Sequence, residues 1–163
     1  MKHLDVRHCR LIGIILLLCG CAVGSVQTVD SGSKADYEHR VLIASQNSGF
    51  KQAVANEVRD SLKKNSYYVK IIDVKNLRNE SPDDYNAIVI LNACMAGRPD
   101  PRVESFLEIL TEVDKVVLLT TGMLDNWKPE SAGVDAMTSA SAMDQSNAIG
   151  QTIVKKVMTV DKK

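Results

Sequence analysis

The chain has 163 residues, enough for one domain of ordinary size once an amino-terminal leader is set aside, and too few for two. Apolar residues make up 45% and charged residues 25%, a balance that supports a packed core and excludes a disordered or fibrous chain. Twenty Lys and Arg offset twenty Asp and Glu, so the basic footprint of a phosphate-backbone binder is missing and nucleic acid is not an expected partner.

The first twenty residues read as a leader. Lys2, Arg7 and Arg10 precede the apolar run Leu11 to Cys19 (LIGIILLLC), which is signal-peptide length and about half of the roughly 20 residues needed to span a bilayer as a helix. Leu18-Cys19-Gly20-Cys21 follows and resembles the bacterial lipobox, in which an apolar residue and two small ones precede a cysteine. The resemblance implies cleavage before Cys21, a thioether-linked diacylglycerol on its sulfur and an acyl chain on its amine. Two or three chains of buried methylenes, at about 0.8 kcal/mol each, would make attachment effectively permanent. Ala22 rather than Asp follows, which by that family's habit favours the periplasmic face of an outer membrane where the cell has one. Cys9 and Cys19 leave with the leader and Cys21 is consumed by lipid, so only Cys94 remains, and neither an intramolecular disulfide nor a cysteine metal cluster is expected. Ala22 to Asp36 (AVGSVQTVDSGSKAD) is small and polar without a period. It reads as a flexible tether of roughly 20 Å, with the domain beginning at Tyr37 and running to Lys163.

From there strands and helices alternate. Arg40 to Ser45 (RVLIAS) is a continuous apolar run, the pattern of a strand buried on both faces. Phe50, Val54, Val58 and Leu62 recur every four residues as one face of an amphipathic helix, with Lys51 among the charged residues between them. Tyr67 to Val74 reads as a second strand suited by Lys70 to a sheet edge, and Ala87 to Leu91 as a central third. Between them Ser81 and Pro82 open at most one helical turn. Asp100-Pro101 opens a helix striped by Val103, Phe106, Leu107 and Leu110. Lys115 to Thr120 is a fourth strand and Val134 to Thr138 a weaker fifth, and Ile149, Ile153 and Val157 stripe a closing helix. Such alternation implies an α/β doubly wound, three-layer sandwich with a five-stranded parallel sheet.

Arg40 to Ser45, Ser81 to Ile90 (SPDDYNAIVI) and Ala96 to Leu107 (AGRPDPRVESFL) together resemble the flavodoxin-like fold over about Arg40 to Val157. The resemblance implies strand order 2-1-3-4-5 and a ligand crevice beyond the carboxyl ends of the strands, where chain order reverses. Three loops would line it. The first, Ser45, Gln46, Asn47, Ser48 and Gly49, leads from strand to helix and would gather N–H groups for an anion. Flavodoxins cradle the FMN phosphate at this place with a run of Ser/Thr and a Gly; Ser45, Ser48 and Gly49 match, and Phe50 stands where another hydroxyl is usual. The alternative reading is a capped helix start and nothing more. The second loop carries Cys94, Met95, Ala96, Gly97 and Arg98. Met95 could pack on an isoalloxazine, Arg98 could meet a phosphate, and Cys94 is either a reactive thiol or a small buried hydrophobe. The third brings Thr121, Gly122 and Trp127, the single Trp, as a stacking platform or as plain loop packing.

Asp135 to Ser141 (DAMTSAS) also resembles the motif of covalently flavinylated exported domains, which would make Ser141 the acceptor, although small hydroxyl residues are ordinary in such a loop. His39 is the only His after processing and precedes the first strand, away from the crevice. A His-assisted nucleophile and a His-rich metal site are therefore not expected, and any redox chemistry would be a cofactor's. Two functions remain in view. One is a membrane-anchored lipoprotein whose domain is a binding module for FMN or another small anionic, phosphate-bearing ligand. The other is an FMN-dependent electron-transfer or quinone or flavin reductase-like protein at the membrane surface.

Overall fold

The computed structural model describes residues 25–94, 100–122 and 134–162. Six strands form one sheet: β1 (Val29–Asp30), β2 (Arg40–Ser45), β3 (Tyr68–Asp73), β4 (Ala87–Ala93), β5 (Val116–Thr121) and β6 (Asp135–Ser139), in the order β1-β3-β2-β4-β5-β6. The last five in sequence run parallel, with Val41 opposite both Val69 and Ala87, Ile88 opposite Val116 and Val117 opposite Asp135. Counted among themselves those five lie in the order 2-1-3-4-5, as the resemblance to the flavodoxin-like fold implies.

The amino-terminal segment departs from expectation. Instead of a free tether, Val29 and Asp30 pair antiparallel with Ile71 and Lys70, so the sheet has six strands and is mixed, and the fold begins before Tyr37. The short strand is fastened by side chains as well, with the Tyr68 hydroxyl donating to Asp30 at 2.8 Å and the Ser31 hydroxyl donating to the Val69 carbonyl at 2.8 Å. β3 is consequently not an edge. Lys70, read as an edge charge, pairs with Glu80 at 2.8 Å on a carboxylate that also accepts from Tyr85.

Because the central strands are apolar on both faces, each face needs its own cover. Val41, Ile43, Val89, Leu91, Val117 and Leu119 face α1 (Gly49–Lys64) and α3 (Ser146–Val160), meeting Phe50, Val54, Val58, Leu62, Ile153 and Val157. Leu42, Ala44, Ile88, Ile90, Val116 and Leu118 face the other side, where α2 (Pro101–Glu108) supplies Val103, Phe106 and Leu107. Only short 3-10 turns, Val74–Asn79 and Pro82–Asp84, join β3 to β4, and Val74, Leu77 and Tyr85 fill the space that a crossover helix would occupy. Among the described residues no helix is long and apolar enough to cross a membrane.

Candidate functional site

The parallel strands end together at one rim, where β2 passes into α1, β4 into the segment before α2, and β5 into the segment before β6. At the first of these turns Gln46 continues the ladder by donating its N–H to the Leu91 carbonyl at 3.0 Å. Ser48 then takes an extended conformation and caps α1, its Oγ accepting from the Lys51 N–H at 3.2 Å. An α-helix leaves its first N–H groups without intrahelical acceptors, and with Lys51 served by the cap, those of Gly49 and Phe50 are left for another acceptor. A Cβ built on Gly49 would meet nothing within 4 Å, so a ligand would approach this turn through open space.

The other loop residues have local duties. Ser45 is fully buried and its hydroxyl donates to the Gln46 carbonyl at 3.0 Å, so it is not presented to a ligand as the sequence suggests. Asn47 accepts from the Gln52 side chain, and the Gln46 amide reaches across to Asp100 at 2.9 Å. Asp100 is the N-cap of α2, accepting from the Arg102 N–H at 2.9 Å and from its guanidinium at 2.6 and 2.8 Å. One carboxylate thus ties the β2–α1 turn to the start of α2.

The side-chain hydrogen bond from Arg102, with help from its backbone N–H and Gln46, holds the Asp100 carboxyl down at about 2. A free Asp takes its proton near pH 3.9, so the stabilisation is complete above that value and is lost as pH falls toward 2. With Arg102 half exposed, solvent screening leaves about 1–2 kcal/mol of the effect. Asp100→Asn, which keeps a good cap and removes the charge, is expected to be less stable than wild type by that amount at pH 7 and nearly equal to it near pH 2. Urea denaturation at the two pH values checks this; an equal difference at both would refute the assignment.

The most telling residue of the rim is one that the helical pattern of the sequence leaves as a spacer between apolar positions. Lys51 sits on the sheet-facing side of α1, one turn ahead of buried Ala55, and is only 4% exposed. Its amino group has no hydrogen-bond or ion-pair partner among the described residues, and burial pushes its ammonium below the usual lysine range. Two residues at the strand ends are also polar and buried. Asn92 and Thr120 pair in register at the ends of β4 and β5; Asn92 Oδ1 accepts from the Asp100 N–H at 3.3 Å, while Asn92 Nδ2 and Thr120 Oγ1 are buried without a partner among the described residues. A buried polar group left so costs about 1–3 kcal/mol, so the rim holds unmet demand for polar contact.

Cys94 is a half-buried free thiol whose N–H donates to the Thr121 carbonyl at 2.8 Å, and the Thr121 hydroxyl donates to the Asn92 carbonyl at 3.3 Å. A Cβ on Gly122 would lie 3.0 Å from that of Cys94, so a small residue is needed where these two strand ends converge. Met95, Ala96, Gly97, Arg98 and Trp127, like Cys21, lie outside the described residues. Ser141 is exposed beyond the end of β6, whereas Asp135 is gripped by Lys156 at 2.6 and 2.7 Å at the beginning of that strand, so the two ends of the DAMTSAS motif are separated by the strand itself. His39 stands at the opposite, amino edge of the sheet, its Nδ1 2.7 Å from an Asp161 oxygen that also accepts from Tyr67.

Neither a family model nor a curated protein matches the chain in sequence. Among solved structures it is similar to a flavodoxin from the domain Archaea, at 12% identity over 74% of this chain and 98% of that one, with a TM-score of 0.53. It is also similar to a mutant flavo di-iron protein from Thermotoga maritima, at 16% identity, 76% of this chain, 36% of that one and a TM-score of 0.49. With five parallel strands in the order described and helices on both faces, the domain has the flavodoxin-like fold.

Proposed function

We propose that this chain is a lipid-anchored binding module of the bacterial cell envelope whose carboxyl rim takes a phosphate-bearing small ligand, flavin mononucleotide being the first to test. The anchor reading is supported by the charged leader, the short apolar run and the lipobox-like residues ending at Cys21. The ligand reading is carried by Lys51: a cation withdrawn from water beside a capped helix start, with no counter-ion among the described residues. Removing such a charge from water is costly unless an anion meets it, and a phosphate would supply the charge while accepting from the first N–H groups of α1.

The residues present suit the phosphate end of FMN. Ser48 positions the turn, the N–H groups of Gly49 and Phe50 have no intrahelical acceptor, and Lys51 adds the charge. The residues that would flank the ring, Met95 and Trp127, lie outside the described set. When bound, the flavin would supply electron transfer; the protein's own part is to bind, orient and shield it.

Isothermal titration of the purified protein with FMN and with inorganic phosphate tests the reading. Lys51→Met is expected to weaken binding by about 10- to 100-fold, the worth of one charge-assisted hydrogen bond, while holding or raising the melting temperature because a buried cation is gone. Gly49→Asp points into open space at the start of a helix, where a carboxylate suits the dipole, so it too is expected to fold normally and to repel the anion. Failure of the wild type to bind either probe, or undiminished binding by both variants, overturns the proposal.

A further inference from the structure

The place where the described chain enters the fold decides which end of the domain an anchor would hold. β1 runs antiparallel to β3, so stepping back from Val29, opposite Ile71, leads toward the carboxyl end of β3. There the Val26 N–H donates to Asp73 Oδ2 at 3.1 Å. Ser25, Val26 and Gln27 border, with Ser45, Gln52 and Asn56, a groove of about 270 Å³ along the start of α1. The entering segment therefore joins the domain at the same rim as the candidate cradle. Cys21 precedes Val26 by five residues, which even fully extended reach only about 17 Å. The opposite edge, where Asp83, Glu112, Asp114 and Asp161 border a cavity, lies a further strand length away, about 20 Å.

We propose that the anchor holds the domain with its carboxyl rim toward the bilayer, so that the Ser45–Gly49 turn confronts the lipid headgroups. The inference rests on the lipidation of Cys21 proposed above. Its partner is the membrane surface itself, which the short reach from Cys21 to Val26 brings to this rim.

The test uses full-length protein processed in a bacterial host and reconstituted into phosphatidylethanolamine–phosphatidylglycerol vesicles. In a Cys94→Ser background, Gln52→Cys reports the rim and Asp83→Cys the amino edge; both positions are exposed. Each is labelled with a fluorophore, and quenching by a spin-labelled headgroup lipid is measured. Protein that floats with the vesicles and is quenched several-fold more at position 52 than at 83 supports the orientation. Protein that floats but is quenched equally, or more at 83, overturns it and leaves the anchor intact. Protein that carries no lipid on Cys21 and does not float removes the anchor and the orientation with it.

Discussion

Phe106→Ala is expected to lower the free energy of unfolding by about 3–5 kcal/mol, among the largest effects of any single truncation in this chain. Phe106 is fully buried and, among the described residues, is the bulkiest of the completely enclosed side chains. It lies on a helix of only eight residues that contributes three side chains to its layer, and it shares that layer with Leu42, Ile88, Ile90 and Leu118. The opposite face has two helices of 16 and 15 residues and can redistribute a loss. The α2 face has 3-10 turns for neighbours, so the cavity would stay open. Since a domain of this size is stable by about 5–15 kcal/mol, the variant should unfold at a much lower urea concentration or fail to accumulate. A shift below about 1 kcal/mol would mean that the layer relaxes around the gap, contrary to this account.

Gly150→Leu is expected to be comparably damaging, at about 3 kcal/mol or more, and Gly150→Ala to cost about 1–2 kcal/mol. The sign is the informative part, because in an isolated helix either replacement would gain up to about 1 kcal/mol over glycine. In this fold a Cβ at position 150 would come within 2.6 Å of Glu57 Cγ and 2.9 Å of its Cβ, near the root of that side chain where rotation gives no escape. Glu57 is itself fixed between the helices, accepting from Ser61, Asn147 and Gln151. The absence of a side chain at Gly150 is what allows α1 and α3 to close over the sheet. Thermal denaturation followed by circular dichroism would show the loss; a rise in melting temperature for Gly150→Ala would show instead that the two helices are free to part.

How far the sequence could be read follows from the range of each interaction. The buried strands β2, β4 and β5 announce themselves because a chain covered on both faces must be apolar without interruption, and the Asp100-Pro101 start of α2 is a local cap that needs no partner from elsewhere. β1 is invisible for the opposite reason. Two residues have no period, and what makes Val29 and Asp30 a strand is the ladder of β3 and the hydroxyl of Tyr68, supplied from some forty positions away. The site divides in the same way. The turn from Ser45 to Gly49 is legible as a helix entry, but the Gln46–Asp100 bond spans 54 residues and required the topology first. Lys51 was legible in principle. On a helix the arc facing a sheet is wider than a stripe of every fourth residue, and Lys51 falls between Val54 and Ala55 in angle, so its burial follows once α1 is laid on the sheet.

The two-residue strand β1 also bears on how the globule would be set free from the anchor proposed above. Proteolysis ahead of Val26 would release it whole, since every bond that β1 makes lies downstream of the cut. Proteolysis a few positions later, past Gly32, would detach β1 and strip β3 of its neighbour, laying bare a row of unpaired amides and carbonyls that invites another chain. For this protein a clean shedding site and a ruinous one would stand within a handful of residues of each other.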